Sequence, residues 1–138
     1  MTDEELMAFE LLGLLASYQK SGDIEYVKEA ISKLALANKW GECAYALEFG
    51  AKKYSAWNWT KGSDWTIPLS SATRHIFKIL LEKELNDSES GCTHIGHVMC
   101  NLVFLRIFVE SYPTGNDLPP KNFNIPQDSE NTPSPYET

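Results

Sequence analysis

The chain has 138 residues, of which 12 are basic and 19 acidic, so its formal net charge at pH 7 is −7. This length allows one domain, and a composition of 43% hydrophobic and 12% aromatic residues is typical of a globular protein. The acidic balance argues against direct nucleic-acid binding, because coating a phosphate backbone requires clustered Lys and Arg. A small anionic ligand held through a metal ion remains compatible with this charge.

The N-terminus and the cysteines indicate where the protein works. Residues 1–8 are acidic where a secretory signal needs basic residues, and no apolar run reaches the roughly 18 residues of a membrane span. The three cysteines, Cys43, Cys92 and Cys100, form no CxxC pair, which is typical of a reduced compartment. We therefore expect a cytoplasmic protein without membrane contact.

Residues 1–54 predict three helices. The first spans residues 2–20 and opens with a capping box of Thr2 and Glu5. Apolar residues at spacings of three and four predict a second helix that ends near residue 38, and a third runs from Trp40 to Tyr54. Apolar residues lie on more than one side of the first helix, which predicts a homodimer or homotetramer; they are Leu6, Phe9, Leu11, Leu12, Leu14 and Leu15.

Residues 55–68 form a predicted loop that holds three of the four tryptophans, with Gly62 and Pro68 as helix breakers. Such a loop either plugs the helical bundle or forms a wall on which a flat ligand stacks. On the second interpretation, Trp57, Asn58 and Trp59 line a base pocket, since the tryptophans offer stacking and the amide can read a base edge.

A fourth helix is predicted from Ser70 or Ser71 to the segment between Glu84 and Asp87. If its last turn is helical, these two carboxylates leave the same face, because they lie three residues apart. Paired carboxylate oxygens suit Mg²⁺ or Mn²⁺. The alternative is an exposed, solvated acidic helix end.

A fifth helix is predicted from Ser90 to Tyr112. It is apolar almost all round, which is typical of a helix buried at the centre of a bundle. His94, His97 and Asn101 share one stripe of it, and polar groups on a buried helix need partners or a cavity. Cys92, His94, His97 and Cys100 are an alternative set of four zinc ligands. Structural zinc sites usually take their ligands from a knuckle or from separate elements, however, so four ligands this close together on one helix do not suit the geometry.

Residues 113–138 contain six of the seven prolines and predict an extended or disordered tail, with Leu118, Phe123 and Ile125 as possible anchors. The domain is accordingly predicted to cover residues 1–112. No segment has the period of a strand, so the predicted fold is an all-α bundle of about five helices.

Several blocks occur in a fixed order between residues 44 and 108. They are ALEFGAKKYSAWNWTKG, the dipeptide Arg74-His75, and the pattern E-x-x-D-x-E-x-G-x-x-H-x-x-H-x-x-x-N from Glu84 to Asn101. These sequence blocks resemble the phage and bacterial dATP/dGTP diphosphohydrolases. That family is similar to the MazG-like all-α nucleoside triphosphate pyrophosphohydrolases, and its MazZ-type members belong to viruses that replace adenine by 2-aminoadenine.

The resemblance implies a MazG-like bundle and an enzyme that uses two or three Mg²⁺ or Mn²⁺ ions. It would convert a purine deoxynucleotide, dGTP or dATP, to the monophosphate and pyrophosphate in phage nucleotide-pool control. The wider superfamily holds its metals with an ExxE and an ExxD pair. Glu84 and Asp87 match the ExxD, whereas Glu48 matches only half of the ExxE because Ala51 follows it, so Glu89 or a histidine would supply the missing ligand.

The expected chemistry is attack of water on the α-phosphorus, which cations must assist by neutralising the phosphate oxygens. Glu48, Glu84 and Asp87 are the predicted catalytic carboxylates. The predicted substrate-binding residues comprise cations for the phosphates, the tryptophan loop and the polar stripe of the fifth helix; they are Lys52, Tyr54, Trp57, Asn58, Trp59, Lys61, Arg74, His94, His97 and Asn101.

Two other classes of function stay open on the sequence. One is a non-enzymatic all-α interaction module whose acidic, aromatic loop docks on another protein. The other is a zinc-dependent HD-type phosphohydrolase, which is disfavoured because it needs an adjacent His-Asp pair and the chain contains no His-Asp dipeptide.

Overall fold

A computed structural model describes residues 1–54 and 58–118. This part of the chain forms five helices: α1 (Asp3–Ser21), α2 (Glu25–Leu36), α3 (Trp40–Lys53), α4 (Thr66–Glu82) and α5 (His94–Ser111). Short 3-10 turns cover Asn58–Lys61 and Pro113–Gly115. The described residues contain no strand, only an isolated bridge between Asn86 and Thr93. The predicted all-α bundle of about five helices is confirmed.

The central element is α5. It packs against α2, α3 and α4, while α1 covers α2 and α4. Ile95, Val98, Met99, Leu102 and Leu105 of α5 have no exposed surface. This burial on several sides explains why the helix is apolar almost all round, as the sequence indicated.

The start of α5 differs from the prediction. Thr93 caps it, with its hydroxyl accepting a hydrogen bond from the Gly96 amide at 3.2 Å, so the helix begins at His94 instead of Ser90. This places the His94 side chain in the first turn, beside the loop that precedes the helix.

Both ends of α4 also differ from the predicted ends. The helix begins at Thr66 and carries Pro68 in its first turn, where the missing N–H of proline is tolerated. It ends at Glu82, because Lys83 adopts a left-handed conformation with φ of 56°. The inference that Glu84 and Asp87 leave one helical face was therefore wrong, since both residues lie in the loop of residues 83–93.

Residues 113–118 pack on the start of α4. The Trp65 amide donates to the carbonyl of Gly115 at 2.9 Å, its indole Nε1 donates to the carbonyl of Tyr112 at 2.9 Å, and Leu118 contacts the core. Residues 119–138, which include Phe123 and Ile125, lie outside the described part of the chain. The predicted division at residue 112 and the extended tail stay predictions.

We expect Gly96→Ala to lower the free energy of unfolding by about 1–3 kcal/mol. A Cβ at this position would lie 2.4 Å from the backbone oxygen of Glu42, so α3 and α5 would have to separate. Urea unfolding measures the change. Gly13→Ala is the matched control, because a Cβ there meets nothing within 4 Å and alanine favours the helix. Equal stabilities of the two variants would contradict this account of the close contact between α3 and α5.

Candidate functional site

A cavity of about 680 Å³ lies between α3, α4, α5 and the 3-10 turn at Asn58–Lys61. Charged and polar residues line part of it, among them Arg74, His75, Asp87 and His97. Aromatic residues line another part, among them Phe49, Trp59, Phe104 and Phe108. A second groove of about 610 Å³ between α1 and α4 is lined by no histidine and not by Asp87. We therefore place the candidate site in the 680 Å³ cavity.

Three potential metal ligands converge beside this cavity, and two of them, His75 and Asp87, line it. His75 comes from α4, Asp87 from the loop of residues 83–93 and His94 from the start of α5. One ligand atom of each lies within 4.8 Å of the others, and both histidines are buried. The loop folds back on itself through hydrogen bonds from the Asp87 amide to the Cys92 carbonyl and from the His94 amide to the Leu85 carbonyl.

A chain of hydrogen bonds links four side chains through the two rings. Arg74 contacts Nε2 of His75 at 3.3 Å, Nδ1 of His75 lies 2.7 Å from Nδ1 of His94, and Nε2 of His94 lies 3.0 Å from Glu84. Arginine only donates and carboxylate only accepts, so we assign the protons from the two ends. Neutral His75 then donates from Nδ1, and His94 keeps its proton on Nε2 and donates it to Glu84.

Asp87 is held by its own loop. Its Oδ2 accepts from the Ser90 amide at 2.9 Å, and the Ser90 hydroxyl lies 2.7 Å from Nε2 of His97, whose ring stacks on His75. Burial acts to raise the pKa of Asp87, but the bonds from Ser90 and the nearby His97 and His75 outweigh it and leave that pKa below its ordinary value.

Desolvation acts on the neighbouring imidazoles. It lowers the pKa of His75 to about 3, with further contributions from the charges of His97, Arg74 and His94, and it also lowers the pKa of His97. At neutral pH the site therefore holds neutral His75 and His97 beside an ionised Asp87. Neutral imidazole and charged carboxylate are the forms that bind a metal ion.

The four carboxylates predicted as metal ligands do not form one ligand cluster, although Glu48, Asp87 and Glu89 all line the cavity. Glu84 lies behind His94 as its hydrogen-bond partner, and Glu89 pairs with Lys53. Glu48 is mostly exposed and pairs with Lys52 at 3.4 Å. Of the four, only Asp87 belongs to the group with His75 and His94, because Glu84 and Glu89 bond other residues and Glu48 lies on α3.

The predicted substrate-binding residues are divided in the same way. Arg74, His97, Asn101, Asn58, Trp59 and Tyr54 line the cavity, and His94 lies in the metal-ligand group next to it. Lys52 and Lys61 are exposed and do not line the cavity, whereas Lys53 does. Trp57 falls outside the described residues.

The alternative zinc quartet is not assembled. Cys100 is buried and hydrogen-bonded to Cys43 of α3, and His97 bonds Ser90. His94 bonds His75 and Glu84, so its ring faces neither cysteine. Among the described residues, only His94 of these four belongs to the group of potential metal ligands, and Cys92 and His97 both contact Ser90.

Trp59 serves the core as well as the cavity. Its ring stacks on Phe104, with centroids 5.0 Å apart and planes 14° from parallel, and it packs against the buried cluster. This contact supports the interpretation that the tryptophan loop plugs the bundle, while one part of the ring remains available to the cavity.

Sequence reasoning missed His75 and Lys53 as site residues. Lys53 was one of two adjacent lysines, and nothing in the sequence distinguished the cavity-facing one. His75 belonged to one of the ordered blocks. Its partner His94 lies on another helix, however, so no helical spacing connects the two residues.

The family model for dATP/dGTP diphosphohydrolase, N-terminal, matches residues 18–117, more than half of the chain. No curated protein and no solved structure matches. The matched range contains α2 to α5 and all three residues of the converging group, and it extends beyond residues 44–108 that carried the resemblance. The suspected relationship is confirmed: the chain belongs to the dATP/dGTP diphosphohydrolase family.

Proposed function

We propose that the protein hydrolyses a purine deoxynucleoside triphosphate, dGTP or dATP, to the monophosphate and pyrophosphate with the help of a divalent metal ion. One observation carries this proposal. A His75, Asp87 and His94 group adjoins a cavity that is lined by charged side chains, among them Arg74 and Lys53, on one part and by aromatic side chains on another, in a chain of this family. A nucleotide has the same division into an anionic and an aromatic part.

The residues present fit a divalent ion. His75, His94 and Asp87 would hold it. Because Nδ1 of His75 donates to Nδ1 of His94 when no ion is bound, His75 would give up this hydrogen bond and its Nδ1 proton on binding the ion. Glu84 would orient the His94 ring from behind, as carboxylates commonly do for metal-binding histidines. Two imidazoles with one carboxylate suit Mn²⁺ better than Mg²⁺, which prefers oxygen ligands. When bound, such an ion supplies positive charge to the phosphate oxygens. We propose this mixed set in place of an all-carboxylate one.

The protein's own side chains have separate tasks in this proposal. Arg74 and Lys53 bind phosphate oxygens, Arg74 with the planar fork that suits two of them. Glu84 accepts a hydrogen bond from Nε2 of His94, and this bond keeps the ring proton on Nε2. Trp59 and Phe104 offer an aromatic surface to the purine.

The direct test is incubation with each of the eight common nucleotides and either Mg²⁺ or Mn²⁺, followed by chromatographic identification of the products. We expect a purine deoxynucleoside monophosphate and pyrophosphate. Release of a nucleoside and tripolyphosphate would contradict the proposed bond cleavage. A non-enzymatic interaction module would release no phosphate and would show no thermal stabilisation by Mn²⁺.

The resemblance to MazZ-type enzymes supports a place for this activity in phage nucleotide-pool control, in the cytoplasm of the host cell. None of the helices in the described part of the chain has the length and apolar character needed to cross a bilayer. Detection of the protein in the soluble fraction of infected cells, together with a changed ratio of dGTP to dATP, tests this assignment.

We also propose that the protein is a homodimer or homotetramer. Leu6 and Phe9 lie three residues apart on α1 and are 50% and 59% exposed, so they form an apolar patch on one face of this helix. Light scattering is expected to give two or four times the 15.6 kDa mass of one chain. Leu6→Glu with Phe9→Glu should reduce that mass, whereas Lys20→Glu at the opposite end of α1 should not. A single-chain mass at micromolar concentration would defeat the proposal.

A further inference from the structure

Asn101 has an amide whose orientation is determined by its neighbours. It lies on α5, and its Nδ2 is 2.8 Å from the His97 carbonyl and 3.2 Å from the Ser71 hydroxyl. A backbone carbonyl can only accept, so the atom facing it must be the amide nitrogen. The side-chain oxygen Oδ1 therefore points away from this pair of acceptors.

Oδ1 of Asn101 is an unused acceptor. No residue in ranges 1–54 and 58–118 donates a hydrogen bond to it. The atom nevertheless retains contact with solvent, since the buried side-chain atoms without a partner are only Glu4 Oε2 and Glu42 Oε2 in these ranges. Asn101 lines the 680 Å³ cavity. A held amide with a free oxygen at a cavity is ready to accept from a ligand hydroxyl or amine.

The position of Asn101 along α5 indicates which part of a nucleotide it meets. A helix rises about 1.5 Å per residue, so Asn101 lies about 6 Å beyond His97, and Phe104 lies about 4.5 Å beyond Asn101. The cavity side of α5 thus presents an imidazole, then the amide, then an aromatic ring. A nucleotide presents phosphates, then sugar, then base.

We propose that Oδ1 of Asn101 accepts a hydrogen bond from the 3′-hydroxyl of the deoxyribose. This inference rests on the proposed function, because it places the phosphates near Arg74 and His75 and the base near Phe104 and Trp59. Asn101 is then a specificity-determining residue for the sugar, and Ser71 and the His97 carbonyl hold its amide in the receptive orientation.

The test compares the preferred purine triphosphate with its 2′,3′-dideoxy analogue, which lacks only the 3′-hydroxyl. For the wild-type protein we expect kcat/KM to be roughly three- to tenfold lower for the dideoxy analogue, the usual effect of one neutral hydrogen bond. Leucine is similar in size to asparagine but has no acceptor. The Asn101→Leu variant should therefore hydrolyse both nucleotides with the lower of the two kcat/KM values. Ser71→Ala should keep the preference, because the His97 carbonyl still orients the amide.

A second readout is independent of turnover. Calorimetric titration with the deoxynucleoside monophosphate and its dideoxy analogue should show the same preference in Kd and the same loss in Asn101→Leu. Equal kcat/KM and Kd for the two ligands in the wild-type protein would overturn the inference without any variant being made.

Two further outcomes are informative. One distinguishes a contact of Oδ1 with the sugar from a contact with the base, and the other distinguishes failure of this inference from failure of the proposed function. dITP lacks the 2-amino group of dGTP, so loss of a dGTP-over-dITP preference in Asn101→Leu, with the dideoxy preference intact, would assign Oδ1 to the base and overturn the sugar assignment. Failure of the wild-type protein to bind or hydrolyse any nucleotide would instead reject the proposed function.

Discussion

Asp87→Asn is expected to lower kcat by about 100-fold or more while the protein stays folded. The amide keeps the shape of the carboxylate but removes the only formal negative charge in the His75, Asp87 and His94 group. The variant should also lose thermal stabilisation by Mn²⁺. Initial rates at saturating Mn²⁺ and melting temperatures with and without the ion measure both effects.

Glu25→Gln is the control for this prediction. The same change of charge is made at an exposed side chain that pairs with Lys28 on α2, away from the cavity, so turnover should remain close to that of the wild-type protein. Wild-type turnover of Asp87→Asn at saturating Mn²⁺ would remove Asp87 from the site. Loss of turnover in Glu48→Gln, which changes another carboxylate of the cavity, would instead support the carboxylate set that was expected from the ExxE and ExxD patterns.

Trp59→Ala is expected to lower the free energy of unfolding by about 3 kcal/mol. The reason is loss of the stack on Phe104 and of the contact with the buried cluster. The KM for purine nucleotides should rise in the folded fraction, because the same ring also lines the cavity. Denaturant unfolding and steady-state kinetics of one preparation provide both numbers.

Trp40→Ala is the matched control, since that tryptophan is 52% exposed and its loss should cost much less stability. An unchanged KM in a destabilised Trp59→Ala protein would show that this tryptophan only fills the core. The base would then have to stack on another aromatic residue of the cavity, such as Phe49 or Phe108.

The sequence by itself determined the helices and the identity of the buried one. Their apolar spacing is a local property, so α1, α2 and α3 were found with ends correct to a few residues, and α5 was recognised as central because it is apolar almost all round. Its polar stripe correctly marked His94, His97 and Asn101 as residues that need partners or a cavity. The ordered blocks indicated the family, which the match over residues 18–117 confirms.

The composition of the candidate site was decided only by the tertiary structure. Helix ends depend on single-residue conformations, and the left-handed Lys83 removes Glu84 and Asp87 from the helix on which their pairing was argued. His75 and His94 meet because α4 packs against α5, a contact between helices that no spacing along one helix predicts. A glutamate side chain can reach several nearby groups. Whether Glu84 binds a metal or a histidine therefore depends on which groups the fold places beside it.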